Sequence, residues 1–246
     1  MRKQKIQQKP FNSDLDVAIL GFHDGSAGQV SEWFEDVTGY KIRCYILQAD
    51  SFELDIENEN KNRVCQRTEF PSSGFFLGRP FIASSDWISY LIKNGIQKVL
   101  PLTPNNAERL LQIEICQKHG IELVSAIHPT VVILSKAIVH PGVWINAQCT
   151  IGYKSEVLPG SIINTGVQID HHNVLENCCQ IDPGVVTAGF VTLRKGCHVH
   201  TGATIINRIE IGEQAIVGAG SVVINNIHPR TTVVGVPARE IKPKKP

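Results

Sequence analysis

The sequence predicts two architectures in one chain, an α/β domain with a parallel sheet and then a parallel β-helix. Residues 14–127 alternate short apolar runs with helical patterns, and from Ile133 onward an aliphatic residue occupies every sixth position except Thr187, with no insertion. Alternating strands and helices are typical of a parallel sheet, whereas a six-residue period is typical of a hexapeptide β-helix.

The first elements of the α/β domain follow one another in a simple order. "DVAILG" predicts a strand that ends at Gly21, "AGQVSEWFEDVTGY" has apolar residues at helical spacing, and "KIRCYIL" predicts a second strand. The polar stretch 49–80 is expected to be a surface excursion. "SSDWISYLIKNG" then predicts a helix with a serine near its N-cap and Gly95 at its end.

Two more strands surround a further helix. "QKVLPL" predicts a strand, Thr103 and Pro104 suit the N-cap and N1 positions of the helix in "NNAERLLQIEICQKHG", and "IELVS" predicts the last strand. This order indicates a small parallel sheet whose ligand-binding edge lies at the carboxyl ends of the strands.

The second half of the chain keeps one register throughout. The six-residue steps fall on Ile133, Val139, Ile145, Ile151, Val157, Ile163, Ile169, Leu175, Ile181, Thr187, Leu193, Val199, Ile205, Ile211, Val217 and Val223. A period of six fits neither a helix nor a hairpin meander, so we predict short parallel strands, three to a coil, with the aliphatic residue pointing inward. The run makes about five coils stacked about 4.8 Å apart.

Composition excludes several classes of protein. A net charge of +1 with 19% charged residues gives no support for nucleic-acid binding. No run approaches the roughly 18 apolar residues of a membrane span, and the N-terminus lacks the apolar stretch of a secretory signal. The odd count of seven cysteines fits a reduced, cytoplasmic chain, in which Cys149, Cys179 and Cys197 are expected to fill the core.

Three motifs carry a resemblance to a known family. They are Ile127-His128-Pro129, the run "INTGVQIDHH" at 163–172, and "VVGVPARE" at 233–240. With the α/β domain they make the chain similar to the PglD/NeuD group of bacterial sugar acyltransferases. The resemblance implies a left-handed β-helix, a homotrimer, acetyl-CoA bound between neighbouring subunits, and a nucleotide-linked amino sugar held by the N-terminal domain.

The resemblance also implies a division of the chain. We expect a polar tail at 1–13, a Rossmann-like α/β substrate domain at 14–127, a left-handed β-helix acyltransferase domain at 128–226 and a C-terminal segment at 227–246. The implied activity is transfer of an acetyl group to a sugar amine in bacterial polysaccharide biosynthesis.

The adjacent histidines His171 and His172 raise the question of chemistry. On an extended chain their side chains would diverge, which is poor geometry for one metal ion, so we predict no resident metal, even with His198 and His200 added. The resemblance makes His171 the general base, since an imidazole can take the proton of an attacking amine. It gives Asp170 the role of orienting His171 and supporting its charge, and it adds Asn164 to the catalytic set.

The site implied by the resemblance departs from the family in two residues. Gln180 stands where relatives have a second histidine that orients the thioester carbonyl, and His172 stands where an acidic residue is common. Glutamine can still donate a hydrogen bond to a developing oxyanion. Gly189 is expected to offer its backbone amide to the thioester, and Thr201 is expected to contact the cofactor.

The N-terminal loop "GFHDGSAG" is the expected phosphate site. Gly21, His23, Gly25 and Ser26 lie between a strand and a helix, where backbone amides can cradle a phosphate. The spacing differs from the usual dinucleotide motif, and Asp24 adds a negative charge. Two alternatives therefore stay open, an O-acetyltransferase of a sialic-acid-like nonulosonate and a catalytically idle β-helix scaffold.

Overall fold

The computed structural model describes residues 14–22, 24–48 and 74–241. An α/β domain comes first and a three-sided β-helix follows, so the predicted fold class is confirmed. Among the described residues, no helix has the length and apolar character needed to cross a membrane.

The N-terminal domain is built on a six-stranded sheet. Its strands are β1 Asp16–Leu20, β2 Lys41–Leu47, β3 Phe75–Phe76, β4 Arg79–Ala83, β5 Lys98–Pro101 and β6 Glu122–Leu123. Their order across the sheet is β3-β4-β2-β1-β5-β6, and every pair is parallel except β3 with β4. The central strand β1 is buried along its whole length, which explains the apolar run that follows Asp16.

The described helices of this domain differ in two ways from the prediction. They are α1 Asp24–Ser31, α2 Phe34–Thr38, α3 Trp87–Lys93 and α4 Asn106–Lys118. The helical pattern before β2 is divided between α1 and α2. The predicted cap of α4 at Thr103 is wrong, because Asn105 caps this helix by accepting hydrogen bonds from the amides of Ala107 and Glu108, at 3.0 and 3.1 Å.

The predicted surface excursion at 49–80 is corrected at its far end. Residues 49–73 lie outside the described part of the chain, but β3 and the start of β4 extend the sheet. Phe76 packs edge-on against Phe22, with ring centroids 4.7 Å apart, and Phe22 also contacts Phe81. These aromatic contacts explain why the end of a polar segment returns to the sheet.

The β-helix has three faces, each a parallel sheet. The first face contains Ala126–Ile127, Trp144–Ile145, Ile162–Ile163, Gln180–Ile181, His198–Val199, Ile216–Val217 and Thr232–Val234, with Arg239–Glu240 antiparallel at its end. The second face contains Val132–Ile133, Thr150–Ile151, Gln168–Ile169, Val186–Thr187, Thr204–Ile205 and Val222–Val223. The third face contains Ile138–Val139, Glu156–Val157, Val174–Leu175, Thr192–Leu193 and Glu210–Ile211.

One coil takes 18 residues, because Trp144 pairs with Ile162 and Ile145 pairs with Ile163. The aliphatic residues of the six-residue register are mostly fully buried and form the core of the β-helix. Cys149, Cys179 and Cys197 belong to this core, as expected from the sequence. Burial also raises the pKa of the Cys178 thiol to about 11, so it stays neutral near pH 7.

Thr187 interrupts the aliphatic register for a reason that the structure supplies. Asn173 is fully buried, and its Nδ2 donates to the Thr187 hydroxyl at 2.8 Å and to the Asp170 carbonyl at 2.9 Å. An aliphatic residue at 187 would leave this buried amide short of one acceptor. The exception therefore stabilises the turn that carries the two adjacent histidines.

The two domains are joined by a fully buried arginine of α4. The guanidinium of Arg109 donates to the carbonyl of Gly160 at 2.7 Å, to that of Cys178 at 3.1 Å, and to that of Thr103. It also donates to Asn106 Oδ1 at 2.7 Å, so all four acceptors are neutral. Burial lowers the pKa of Arg109, and these contacts hold α4 against the corner between the third and first faces.

We expect Arg109→Ala to lower the free energy of unfolding by about 3 kcal/mol or more, because it leaves several buried carbonyls without donors. The matched control is Arg194→Ala, which removes exposed ion pairs to Glu176 and Glu210 and should cost at most about 1 kcal/mol. Denaturant unfolding followed by circular dichroism measures both. Equal losses in the two variants would contradict the role of Arg109 as the joint between the domains.

Candidate active site

A pocket of about 310 Å³ lies between the α/β domain and the first face of the β-helix. It is lined by Gly25, Ser26, Gln29, Leu102, Pro104, Trp144, Ile162, Asn164 and Gln180. The start of α1 and the ends of the central strands thus meet the outer surface of the first face, which is where a parallel sheet is expected to bind ligands. Asn146 Nδ2 donates to Gln29 Oε1 at 2.9 Å and ties the two walls together.

The pocket wall contains two polar atoms with unmet hydrogen bonds. Within the described residues, Trp144 Nε1 and Gln180 Oε1 are buried and have no hydrogen-bond partner. A buried polar atom without a partner costs about 1–3 kcal/mol. The side chains that carry this donor and this acceptor both line the pocket, where a small side-chain movement would let a polar ligand complete their hydrogen bonding.

Only some of the predicted N-terminal site residues line the pocket. Gly25 and Ser26 line the pocket, whereas Gly21 does not. Gly21 has φ of 83° and lies against Thr103, where an added Cβ would come within 2.2 Å of the Thr103 Cα. Close packing of two chain segments thus explains this glycine. His23 lies outside the described residues.

Asp182 is the centre of a polar cluster beside the pocket. Its Oδ1 accepts from Asn164 Nδ2 at 3.4 Å and from Gln180 Nε2 at 3.3 Å, and its Oδ2 faces His198 and His200. Burial would raise the pKa of Asp182, but the hydrogen bonds with His198, His200 and Gln180 and the charge interaction with His198 outweigh burial and lower it. The carboxylate thereby fixes two residues of the pocket wall, Asn164 and Gln180.

The adjacent histidines His171 and His172 lie at the corner between the second and third faces. The prediction that their side chains diverge is wrong, because His172 has φ of 58° and the segment is a turn and not an extended strand. The two Nδ1 atoms are 3.0 Å apart, which is a hydrogen bond between the rings. One ring therefore sets the tautomer and orientation of the other.

Asp170 holds the backbone of this turn. Its Oδ1 accepts a hydrogen bond from the backbone amide of His171 at 2.7 Å. This carboxylate therefore orients the backbone of His171, and not its imidazole as had been expected. The reason is the turn itself, which points the short carboxylate side chain back to the next amide. His172 occupies the orienting position that the sequence assigned to Asp170.

Gly189 lies directly against the His171 ring. A Cβ at this position would come within 2.3 Å of His171 Cε1 and 2.6 Å of Nε2. The next residue, Phe190, donates its amide to the His171 carbonyl at 3.0 Å and stacks on His172 with ring centroids 4.7 Å apart. The absence of a side chain at 189 is thus what makes room for the imidazole.

Positive charge and aromatic rings continue along the same corner. The Lys154 ammonium is 5.3 Å from the Tyr153 ring centroid, and the Arg208 guanidinium is 5.5 Å from that of Phe190. Below them a groove of about 210 Å³ runs along the second face beside Asp170 and Thr187. This corner can accept an extended, negatively charged ligand.

The predicted site residues fall into two separate groups. Asn164 and Gln180 lie at the interdomain pocket, whereas Asp170, His171 and Gly189 lie at the corner opposite the first face. Thr201 is exposed in the turn after His200, between the first and second faces, and so lies apart from His171. The core of the β-helix separates the two groups within one chain.

Comparison with known proteins gives structural matches. No family model matches the sequence, and no curated protein matches it either. A histidine-to-asparagine variant of perosamine N-acetyltransferase from Caulobacter crescentus, in complex with CoA and GDP-perosamine, is 26% identical. Its TM-score is 0.77, over 93% of this chain and 97% of that chain.

Two further matches support the fold alone. The acetyltransferase domain of PglB from Neisseria gonorrhoeae FA1090, in complex with acetyl coenzyme A, is 23% identical. It has a TM-score of 0.75, over 92% of this chain and 99% of that chain. WeeI from Acinetobacter baumannii AYE is 18% identical, with a TM-score of 0.68 over 92% and 99%. The resemblance predicted from the sequence motifs is confirmed.

Sequence reasoning missed Trp144 and Asp182. Both occupy outward positions of the six-residue repeat, where the pattern alone assigns no function. For Asp182 a signal was present, since pairing across one coil puts it beside His200. No such signal marks Trp144, because its role depends on how the domains are docked.

We expect Gly189→Ala to displace the His171 ring and break its hydrogen bond to His172, because the new Cβ would overlap the ring. In NMR spectra of the imidazole Cε1–H groups, the His171 and His172 signals should shift while that of His140 stays. Gly28→Ala is the control, since a Cβ there meets nothing within 4 Å. Unchanged signals for His171 in Gly189→Ala would contradict the packing described here.

Proposed function

We propose that this protein transfers the acetyl group of acetyl-CoA to the amino group of a nucleotide-linked amino sugar. The observation that carries the proposal is the interdomain pocket, in which Trp144 Nε1 and Gln180 Oε1 lack partners. The similarity to perosamine N-acetyltransferase, whose structure contains CoA and GDP-perosamine, supports the reaction class and both substrates. The nucleotide-linked sugar would lie in this pocket, with the start of α1 near its phosphates.

His171 is the proposed general base. If its Nδ1–H donates to His172 Nδ1, then its Nε2 has a free lone pair. The sugar amine attacks the thioester carbonyl carbon, and its proton passes to His171 Nε2. The tetrahedral intermediate then collapses and the C–S bond breaks. The CoA thiolate leaves and takes the proton from His171 Nε2. The products are the amide and the free thiol of CoA.

The corner around His171 supports the binding of CoA. The groove of about 210 Å³ beside Asp170 lies at this corner, and Lys154 and Arg208 supply positive charge for the phosphates of the cofactor. Gly189 lacks a side chain and lies against the His171 ring, so its backbone is close to the proposed base. These features favour acetyl-CoA on the second face.

The separation of the two groups supports assembly into a homotrimer. The corner that carries His171 is opposite the face that carries the pocket, so one chain cannot bring its own base to its own pocket. A threefold ring places a corner of one copy against a face of the next. We infer three sites, each with a pocket from one subunit and His171 from its neighbour.

We expect His171→Ala to lower kcat by about two to four orders of magnitude, the usual contribution of a general base. His172→Ala should lower it about tenfold to a hundredfold, because it removes the partner that orients the base. Asp170→Asn should cost less than about tenfold, since an amide oxygen can still accept from the His171 backbone. The rates are measured as thiol release from acetyl-CoA with a panel of nucleotide-linked amino sugars.

The control for this series is His140→Ala, which breaks a histidine–carboxylate pair with Glu156 far from the proposed base. It should retain the wild-type rate. Matching sugars with a hydroxyl in place of the amine test the O-acetyltransferase alternative, and acetylation of these alone would reject N-transfer. A His171→Ala variant with normal kcat would exclude His171 as the base.

A further inference from the structure

We propose that Asp182, His198 and His200 form a binding site for one first-row divalent transition-metal cation such as Zn²⁺. Each of the three offers one ligand atom, and these atoms all lie within 4.8 Å of one another. Among the described residues, these three form the one group of at least three histidine, cysteine or acidic side chains whose ligand atoms converge in this way. The proposal does not depend on the proposed acetyl transfer.

The register of the β-helix brings the three residues together. His198 begins the strand His198–Val199 and His200 directly follows it, and both side chains are partly exposed, while Val199 between them is fully buried. Gln180 pairs with His198 across one coil, which places Asp182 beside His200. Neighbouring coils are about 4.8 Å apart, so all three side chains reach the same point on the surface.

The distances suit a metal ion. Asp182 Oδ2 is 3.0 Å from His198 Nε2 and 2.9 Å from His200 Nδ1, and the two rings are 3.9 Å apart between centroids. Zinc bonds of about 2.0–2.2 Å in a tetrahedron separate the ligand atoms by about 3.4 Å. If these ligand atoms moved apart by only a few tenths of an ångström, an ion would fit between them. It would replace the protons on the two ring nitrogens that face Asp182.

The supporting contacts fix the carboxylate in the orientation that a metal needs. Asn164 and Gln180 donate to Oδ1, so Oδ2 is left for the histidine side. Such outer contacts hold ligands in most metal sites. The side chains are 16%, 24% and 38% exposed for Asp182, His198 and His200, so an ion can enter and a solvent molecule can occupy a fourth position.

The donor set selects the class of cation. Two imidazole nitrogens and one carboxylate oxygen suit zinc and its neighbours in the first transition row, whereas calcium and magnesium prefer oxygen ligands alone. The other paired histidines do not compete, because His171 and His172 bond to each other and the nearby carboxylate of Asp170 holds a backbone amide. His140 and Glu156 form a pair without a third ligand.

The test uses the untagged full chain after chelator treatment and removal of the chelator. Titration with Zn²⁺ in a calorimeter should give one ion per chain, and titration with Co²⁺ should give the visible absorption of a low-symmetry site with nitrogen ligands. His198→Ala, His200→Ala and Asp182→Asn should each weaken Zn²⁺ binding by at least about 100-fold, and Gln180→Ala by about tenfold.

His140→Ala and His171→Ala are the matched controls and should bind Zn²⁺ as tightly as the wild type. Circular dichroism and thermal unfolding confirm that each variant is folded, and His198→Gln and His200→Gln replace any alanine variant that is not. The proposal is overturned if the wild type binds no Zn²⁺, if binding survives loss of both histidines, or if His171→Ala abolishes it.

Discussion

The parallel stacking of 18-residue coils is the constraint on which the rest of the structure depends. Because each residue lies beside the residue 18 positions away, one register sets both the inner core and the outer columns of side chains. The inner column is aliphatic, and its single polar exception, Thr187, satisfies the buried amide of Asn173. The outer columns are free of the packing requirement, so they can carry pocket walls, ligands and charge.

The six-residue period was enough to predict the β-helix and the buried cysteines, because a solenoid core depends only on the spacing of apolar residues. The geometry of the histidine pair could not be predicted, since it depends on the left-handed backbone at His172, which turns an extended segment into a corner. The cap at Asn105 was missed because hydrogen bonds in the folded chain, and not residue type, decide between the two candidates. Thr103 was equally suitable by type, but its hydroxyl is hydrogen-bonded to Gln112 in the interior.

Contacts between the domains were the least predictable part of the site. Arg109 joins α4 to two coils through backbone carbonyls, which have no signature in a sequence. Trp144 becomes a pocket residue only because the α/β domain docks on the first face. By contrast, motifs assigned Asn164 to the catalytic set, Gln180 to the cofactor, and Gly25 and Ser26 to the substrate, and the structure gathers all four around one pocket.

The account of function rests on a separation within the chain. The pocket lies on one face and the proposed base lies at the opposite corner, so the proposed site would be complete only between subunits. This arrangement would couple acetyl transfer to assembly.

The most direct test of this claim is complementation between two inactive variants. His171→Ala lacks the base, and Ser26→Trp fills the pocket. Refolding equal amounts together forms mixed trimers in which some sites combine an intact pocket with an intact base, and random mixing should restore about one quarter of the wild-type activity. Each variant refolded alone should stay inactive. If the mixture is as inactive as its components, the pocket and the base act within a single chain and the account is contradicted.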